Sequence, residues 1–230
     1  MTNVKPEELN YDHYEMDKYD LDIINAIPGH AKLHQELGNI VREKLQQEKA
    51  RILELGPRTG LTTKVIADIV PNAEFTLIDF SEQMLEGAKK RLSKYTCTYV
   101  LGDFADVPFP KEVDAVFSVI GFHHQETDED KQRLIKRVFK SLRDDGLFIL
   151  GDLMTHDDKE DAALYDAYHF HHLVEKAEDE KSLREWAYHH KYLNPLASWQ
   201  KHVTWLKEIG FRKVEVKFQQ WNTFLIVAEK

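Results

Sequence analysis

The stretch Arg51-Ile52-Leu53-Glu54-Leu55-Gly56-Pro57-Arg58-Thr59-Gly60 decides the fold. Ile52 to Leu55 form a short, mainly apolar run, the glycine- and proline-containing segment breaks it, and Leu61, Val65, Ile66, Ile69 and Val70 then recur at helical spacing. This is a strand, a tight turn and a helix. Downstream, Pro71-Asn72 ends the helix and Phe75-Thr76-Leu77-Ile78 reads as a second strand. Ser81 and Glu82 then open a helix whose Met84, Leu85, Ala88 and Leu92 share one face. Strands follow at Cys97–Leu101 and Val113–Val119, separated by a turn at Gly102-Asp103. Thr127 with Asp130 caps a helix burying Leu134, Ile135, Val138, Phe139 and Leu142, expected to stop at Asp145-Gly146 before a strand over Leu147–Leu150. Strands alternating with amphipathic helices imply an α/β fold, a doubly wound and mostly parallel sheet that binds ligands at the carboxyl ends of its strands.

Beyond Asp152 the alternation lapses into a polar, His-rich stretch that runs through Tyr192 to Asn194-Pro195, read as a helical cap inserted at about 153–195. A helix burying Trp199, Val203, Leu206 and Ile209 and closed by Gly210 resumes the rhythm. The runs Lys213–Phe218 and Asn222–Ala228 are too close for a crossover, so they make an antiparallel hairpin and bring the strands to seven. Upstream, Leu33, Leu37, Ile40, Val41 and Leu45 define a packed helix after the break at Ile27-Pro28-Gly29-His30. Tyr11, Tyr14, Tyr19, Leu21 and Ile24, set among acids, suit a helical flap. Residues 1–48 are thus the flap and 49–230 the core with its cap.

Composition narrows the function classes. The 230 residues carry 31 Lys+Arg against 40 Asp+Glu, a net charge of −9 that disfavours sequence-independent contact with nucleic acid. The single cysteine, Cys97, excludes an internal disulfide framework and a Cys-based zinc site, which suits a reducing cytoplasm. The N-terminus lacks an apolar signal core, and Val113 to Phe122 is too short to span a membrane.

The turn carries chemistry. Gly56 permits the tight bend, Gly60 permits close strand–helix packing, and Asp79, 19 residues beyond Gly60 at the tip of the next strand, can accept hydrogen bonds from ribose hydroxyls. A dinucleotide pyrophosphate needs a glycine where this chain has Arg58. S-adenosyl-L-methionine has no phosphate and tolerates a side chain there that points outward, so a nicotinamide cofactor is disfavoured.

Glu54-Leu55-Gly56-Pro57-Arg58-Thr59-Gly60 resembles the E/D-x-G-x-G-x-G signature of class I S-adenosylmethionine-dependent methyltransferases, and the terminal hairpin resembles their seventh-strand ending. The resemblance covers about residue 50 to the C-terminus except the cap, and implies a Rossmann-like sheet. It further implies a methionine-binding loop at Glu54, Gly56, Pro57, Arg58 and Gly60, a ribose contact at Asp79 with Phe80 and Met84 nearby, and an adenine contact at Asp103 between Gly102 and Phe104. Ser118, Val119, Ile120 and Gly121 would line the sulfonium, and Tyr19 of the flap would cover the cofactor. Ile27-Pro28-Gly29-His30, Phe122-His123-His124, Trp205 to Phe211 and Phe218-Gln219-Gln220-Trp221-Asn222 are similar to a branch related to the carboxy-S-adenosylmethionine synthases of tRNA wobble-uridine modification. Those synthases hold their extra carboxylate with an arginine where this chain aligns Trp205, which favours ordinary methyl transfer.

The expected reaction is in-line methyl transfer to a small or medium-sized molecule, in which placement and exclusion of water do most of the work. A base is needed only where the acceptor arrives protonated. His123, His124 and His30 are the candidates; each could instead satisfy a backbone carbonyl or lie in a solvated turn. His169, His172 and Glu175 share helical spacing that could hold a metal, yet a cap helix with Tyr165, Tyr168, Phe170 and Leu173 packed over the pocket is the plainer reading, and no metal is assigned. Tyr165, Tyr168 and Trp186 are expected to shape the acceptor pocket, while Glu175 to Glu180 form a wet face. A carboxy-S-adenosylmethionine synthase-like enzyme and an inert S-adenosylmethionine-binding homologue are the rival readings, with a nicotinamide dehydrogenase a distant third. The oligomeric state, a homodimer included, stays open.

Overall fold

The computed structural model describes residues 16–45 and 49–230. Tyr11 and Tyr14, read as part of the flap, lie outside the described residues. Seven strands, β1 (Arg51–Leu55), β2 (Glu74–Asp79), β3 (Thr96–Leu101), β4 (Val113–Val119), β5 (Leu142–Leu153), β6 (Lys213–Gln220) and β7 (Thr223–Glu229), form one sheet in the order β3-β2-β1-β4-β5-β7-β6. The first five are parallel, and β7 runs antiparallel to both β5 and β6. The chain builds outward from β1 to β3, then crosses back to β4. Strand order therefore reverses between β1 and β4, where a doubly wound sheet opens a crevice.

Eight α-helices accompany the strands among the described residues: α1 (Met16–Ala26), α2 (His30–Lys44), α3 (Leu61–Ile69), α4 (Glu82–Arg91), α5 (Asp128–Ser141), α6 (Lys159–Lys176), α7 (Glu180–Tyr188) and α8 (Trp199–Ile209). Along β4 every residue is buried, and alternate side chains serve opposite faces. Ala115, Phe117 and Val119 join a core with Leu37 and Val41 of α2 and Ile66 of α3. Val116 joins a second core with Leu134 and Val138 of α5 and Leu206 of α8, and Val113 joins it from before the register shift that separates it from Ala115. Helices thus cover both faces.

Local chemistry sets the boundaries. The Thr127 hydroxyl accepts from Asp130 N at 3.1 Å while Asp130 accepts from Thr127 N at 3.2 Å, the reciprocal cap that the spacing predicts. α5 ends at Ser141 rather than at Asp145-Gly146. Leu142 instead opens β5 opposite Val113, Arg143 ion-pairs with Asp114, and Asp145 takes φ 61° where the register shifts. At the other end Trp221, with φ 55°, turns β6 into β7. Among the described residues no helix is long and apolar enough to cross a membrane.

Candidate functional site

The glycine turn lies at the tip of β1. Gly56 adopts φ 73° and donates to Ile78 O at 2.9 Å, which lays the loop against β2. Gly60, with φ 78°, starts α3 so close to α4 that an added Cβ would lie 3.2 Å from Ala88 Cα. Asp79, 3% exposed, gathers the loop: it accepts from Arg58 N at 2.9 Å and from Ser81 N at 3.0 Å. Burial raises its pKa, and those backbone bonds offset part of the rise. Below it, Glu54 accepts from Thr63 Oγ1 at 2.6 Å, and burial pushes it up to about 7.

The neighbouring tips complete a cradle. Gly102 N donates to Asp79 O at 2.9 Å, which sets the tip of β3 beside that of β2. Asp103 accepts from Ala105 N at 2.7 Å and remains partly exposed, while Phe104 packs near Gly56. Phe80 is half-buried, whereas Met84 is fully buried beneath Tyr19. Ser118 Oγ donates to Leu55 O at 3.2 Å and so ties β4 to β1. Carboxylates on adjacent strand tips, a left-handed glycine and an aromatic ring are a donor and acceptor set that fits an adenosyl group.

Arg58 departs from the outward orientation expected for it. The residue sits at φ 50°, and its guanidinium turns across the sheet's crevice so that Nη1 donates to Val119 O at 3.1 Å. Two cavities meet there. The smaller, of about 30 Å³, lies between the glycine loop and α1, with His30, Gly56, Pro57 and Val119 in its wall. The larger, of about 270 Å³, opens beneath the cap, with His123, His124, Trp186 and Leu193 in its wall. Tyr19, Arg58 and Ile120 line both.

His123 is the best-organised group in the larger cavity. The short 3₁₀ turn Phe122–His124 follows β4, and His123 N donates to Asp152 Oδ2 at 2.7 Å. The His123 ring meets Asp152 Oδ1 through Nδ1 at 2.5 Å, and Leu153 N donates to that same oxygen at 2.9 Å. A carboxyl with backbone donors on both oxygens is held as an acceptor, so the Nδ1 proton belongs on the ring side and Nε2 keeps a lone pair. Nε2 is buried and has no hydrogen-bond partner among the described residues. Burial raises Asp152 to about 7 and holds His123 well below the ordinary imidazole range, with the Arg58 charge adding to the latter effect.

The other histidines divide by role. His124 stacks on His123 with centroids 4.1 Å apart, and its Nδ1 reaches Leu193 O at 3.4 Å. His30 stacks on His34 in the smaller cavity, and burial lowers it to about 3. It does not join the other two candidates. In the cap, His190 donates from Nε2 to Asp166 at 2.7 Å, and its Nδ1 is buried without a hydrogen-bond partner among the described residues. His169 donates to Asn222 at 2.9 Å and His172 to Asn25 O at 2.7 Å, so the cap is tied to the hairpin turn and to α1. Among the described residues no three His, Cys, Asp or Glu side chains are placed to hold a metal ion.

Two expectations about the cap change. Trp186 lines the cavity, but Tyr165 stacks on His156 and Tyr168 on Trp221, with centroids 4.4 and 5.7 Å apart. Those tyrosines anchor the cap instead of shaping the pocket. Conversely, the sequence reading passed over Asp152 and used His189 and His190 only as part of a His-rich run. An acid at the end of an apolar strand, like Asp79 on β2, was the available signal for Asp152.

The comparisons with known proteins agree with this geometry. A methyltransferase domain family matches residues 52–146, from β1 through α5. The chain is 32% identical over 139 residues to an uncharacterized methyltransferase of Oceanobacillus iheyensis, covering 59% of this chain and 62% of that protein. It is 24% identical to a carboxy-S-adenosyl-L-methionine synthase of Shewanella loihica, covering 90% of this chain and 87% of the synthase. Human N-acetylserotonin methyltransferase, solved in complex with S-adenosylmethionine, superposes with a TM-score of 0.59 at 19% identity over 84% of this chain. The chain spans only 51% of that human chain, so the likeness concerns the fold. Residues 52–146 thus match a methyltransferase domain, and the fold around them is that of S-adenosylmethionine-dependent methyltransferases of solved structure.

Proposed function

We propose that this chain transfers a methyl group to a hydroxyl of a small or medium-sized molecule, with His123 as general base and Asp152 as its orienting partner. Of residues 1–48, the described helices α1 and α2 serve as a flap, and 153–195 serve as a cap, over the 49–230 core, in the cytoplasm where the free thiol of Cys97 stays reduced. S-adenosylmethionine, when bound, supplies a methyl group on a sulfonium that an acceptor oxygen takes by in-line displacement. Gly56, Pro57 and Gly60 would hold its methionine end, Asp79 and Phe80 its ribose, and Asp103 and Phe104 its adenine. His123 Nε2 takes the proton of the acceptor hydroxyl and later releases it to solvent. Asp152 keeps the ring in the tautomer that can do this. Tyr19 and Trp186 close the cavity against water, which favours reaction of a polar oxygen there.

The observation that carries this reading is the buried His123–Asp152 pair at 2.5 Å, with His123 in the wall of the larger cavity and its Nε2 without a hydrogen-bond partner among the described residues. Release of S-adenosylhomocysteine from S-adenosylmethionine in the presence of each of a panel of phenols and alcohols tests it. His123→Ala should lower turnover about 10²-fold or more, the usual contribution of a positioned base, with the cofactor Kd unchanged. Turnover that survives in both His123→Ala and Asp152→Asn would remove the base from the mechanism.

The synthase-like relatives support a second reading, a carboxylated cofactor. Trp205, which aligns with the synthases' carboxylate-binding arginine, is buried against His202 at 5.1 Å in the core beside α5. The mass of a co-purified ligand separates the two readings, because the carboxylated cofactor is heavier.

A further inference from the structure

We propose that His190, oriented by Asp166, is a second hydrogen-bond acceptor of the cavity beneath the cap, and that the methylated molecule is a small aromatic diol with one hydroxyl on His123 and the other on His190. The proposal rests on the methyl-transfer reading and names the class of its acceptor. His190 Nε2 meets Asp166 Oδ1 at 2.7 Å, and that bond is the main reason the Asp166 carboxyl stays below its ordinary range. Asp166 is thus an anion that can only accept, so Nε2 carries the ring proton and the neutral ring keeps its lone pair at Nδ1. The residue is 6% exposed and stands in the wall of the larger cavity, and its Nδ1 is buried without a hydrogen-bond partner among the described residues. The arrangement repeats that of His123 with Asp152, with the two ring nitrogens exchanged.

The local backbone supports that use of the residue. Beyond α7 the chain makes one π-helical turn, His189–Leu193, a rare geometry that concentrates at functional sites. His189, His190, Leu193 and Asn194 line the cavity from this turn and its end, while Lys191 and Tyr192 stay exposed. Asn194 Oδ1 is a further buried acceptor without a hydrogen-bond partner among the described residues. An unpaired buried acceptor is costly, and an apolar side chain could fill the same space without that cost. A ligand that brings a second donor removes the cost, which a ligand with a single hydroxyl on His123 does not. The wall is also built of flat rings. His190 packs on His169 with centroids 3.9 Å apart and meets Phe170 edge-on at 5.1 Å, while His124 lies 4.1 Å from His123 and 5.6 Å from His189. With Trp186 in the same wall, these faces suit an aromatic acceptor, and a cavity of about 270 Å³ admits one.

Calorimetry on the full chain saturated with S-adenosylhomocysteine tests this. The probes are catechol, resorcinol and hydroquinone, each beside the fluorophenol in which fluorine replaces one hydroxyl and removes that donor at nearly the same size. At least one diol should bind fivefold or more tightly than its fluorophenol. That ratio should fall toward one in His190→Phe, which keeps a ring against His169 but has no acceptor nitrogen. It should take an intermediate value in Asp166→Ala, where the imidazole can hold its proton on either nitrogen. Fluorophenols that bind the wild type as well as the diols do, or a diol preference that survives in His190→Phe, would overturn the proposal, as would failure of all three diols to bind. Long-range ¹H–¹⁵N spectra of the wild type need no variant to fold. His190 Nδ1 should be unprotonated near neutral pH and should shift when a diol binds, and a protonated or unmoved Nδ1 contradicts the assignment. A wild-type chain that binds no S-adenosylhomocysteine removes the methyl-transfer reading as well. One that binds it and methylates phenols and diols alike loses the second acceptor alone, which separates the two failures.

Discussion

At the scale of single residues, the site is governed by where protons reside on buried acids and imidazoles. Asp152 is raised to about 7 by burial, and His123 stays neutral across the physiological range. When Asp152 is protonated it donates to Nδ1, which moves the ring proton to Nε2 and removes the basic lone pair from the cavity. Loss of the Asp152 proton restores it. The rate limited by this base should therefore rise with pH through about 7 and level off above it, and Asp152→Asn should flatten that limb while lowering the rate. A pH profile of kcat/KM that falls between pH 6 and 8 contradicts the assignment. Asp79 gives a separate prediction. Asp79→Ala removes the acceptor for Arg58 N and Ser81 N and the proposed ribose contact, and should weaken S-adenosylmethionine binding by about 1–3 kcal/mol. An unchanged Kd by calorimetry would leave Asp79 as a loop organiser only.

At the scale of elements, Gly60 joins α3 to the turn and α4 to the sheet in one contact. An alanine there meets Leu92 Cδ1 at 3.0 Å and Ala88 Cα at 3.2 Å, and must also hold φ 78°. Gly60→Ala should lower stability by about 1–3 kcal/mol, the range for overpacking a tight contact, read as a fall in Tm. An unchanged Tm would mean that α4 can retreat freely. Most of the elements were legible because the inner strands of the sheet carry short apolar runs between turn residues, as Ile52–Leu55 before Gly56 shows. The end of α5 was not. Leu142 is apolar at helical spacing, but pairing with Val113 and the Arg143–Asp114 contact draw it into β5. Long-range partners decide such boundaries, and periodicity does not register them. The site divides in the same way. Gly56, Asp79 and Asp103 stand at strand tips whose order follows from the fold, so their placement could be read. The His123–Asp152 pair spans 29 residues and the His169–Asn222 pair 53, and no local pattern joins them.

At the scale of the whole molecule, the chain buries an excess of histidines that are neutral in the fold. His30 and His169 are lowered to about 3 and His202 to about 4, in each case chiefly by burial, and His123 and His124 shift in the same direction. An unfolded chain protonates these imidazoles near 6.5, so below that pH the unfolded state binds more protons than the folded one and stability falls as pH falls. The buried acids act in the opposite sense. Glu54 and Asp152, raised to about 7, and Asp79, raised by burial, hold protons in the fold that the unfolded chain releases above its ordinary carboxylate range, so they favour the fold as pH drops from 7. His34, His172 and His189 are lowered as well and Asp22 is raised, so eight histidines against four acids leave a net loss between about pH 6.5 and 4.5, with each unbalanced group contributing up to about 1.4 kcal/mol per pH unit. His169 ties the cap to the hairpin turn, so the cap should loosen with the core on acidification. Thermal unfolding at constant ionic strength should show Tm falling steadily from pH 6.5 to 4.5. The same titration of His169→Gln should be shallower, because one proton acceptor has been removed while a hydrogen bond to Asn222 can be kept. A Tm that holds level or climbs across that interval would mean that the buried imidazoles take up their protons without leaving the fold.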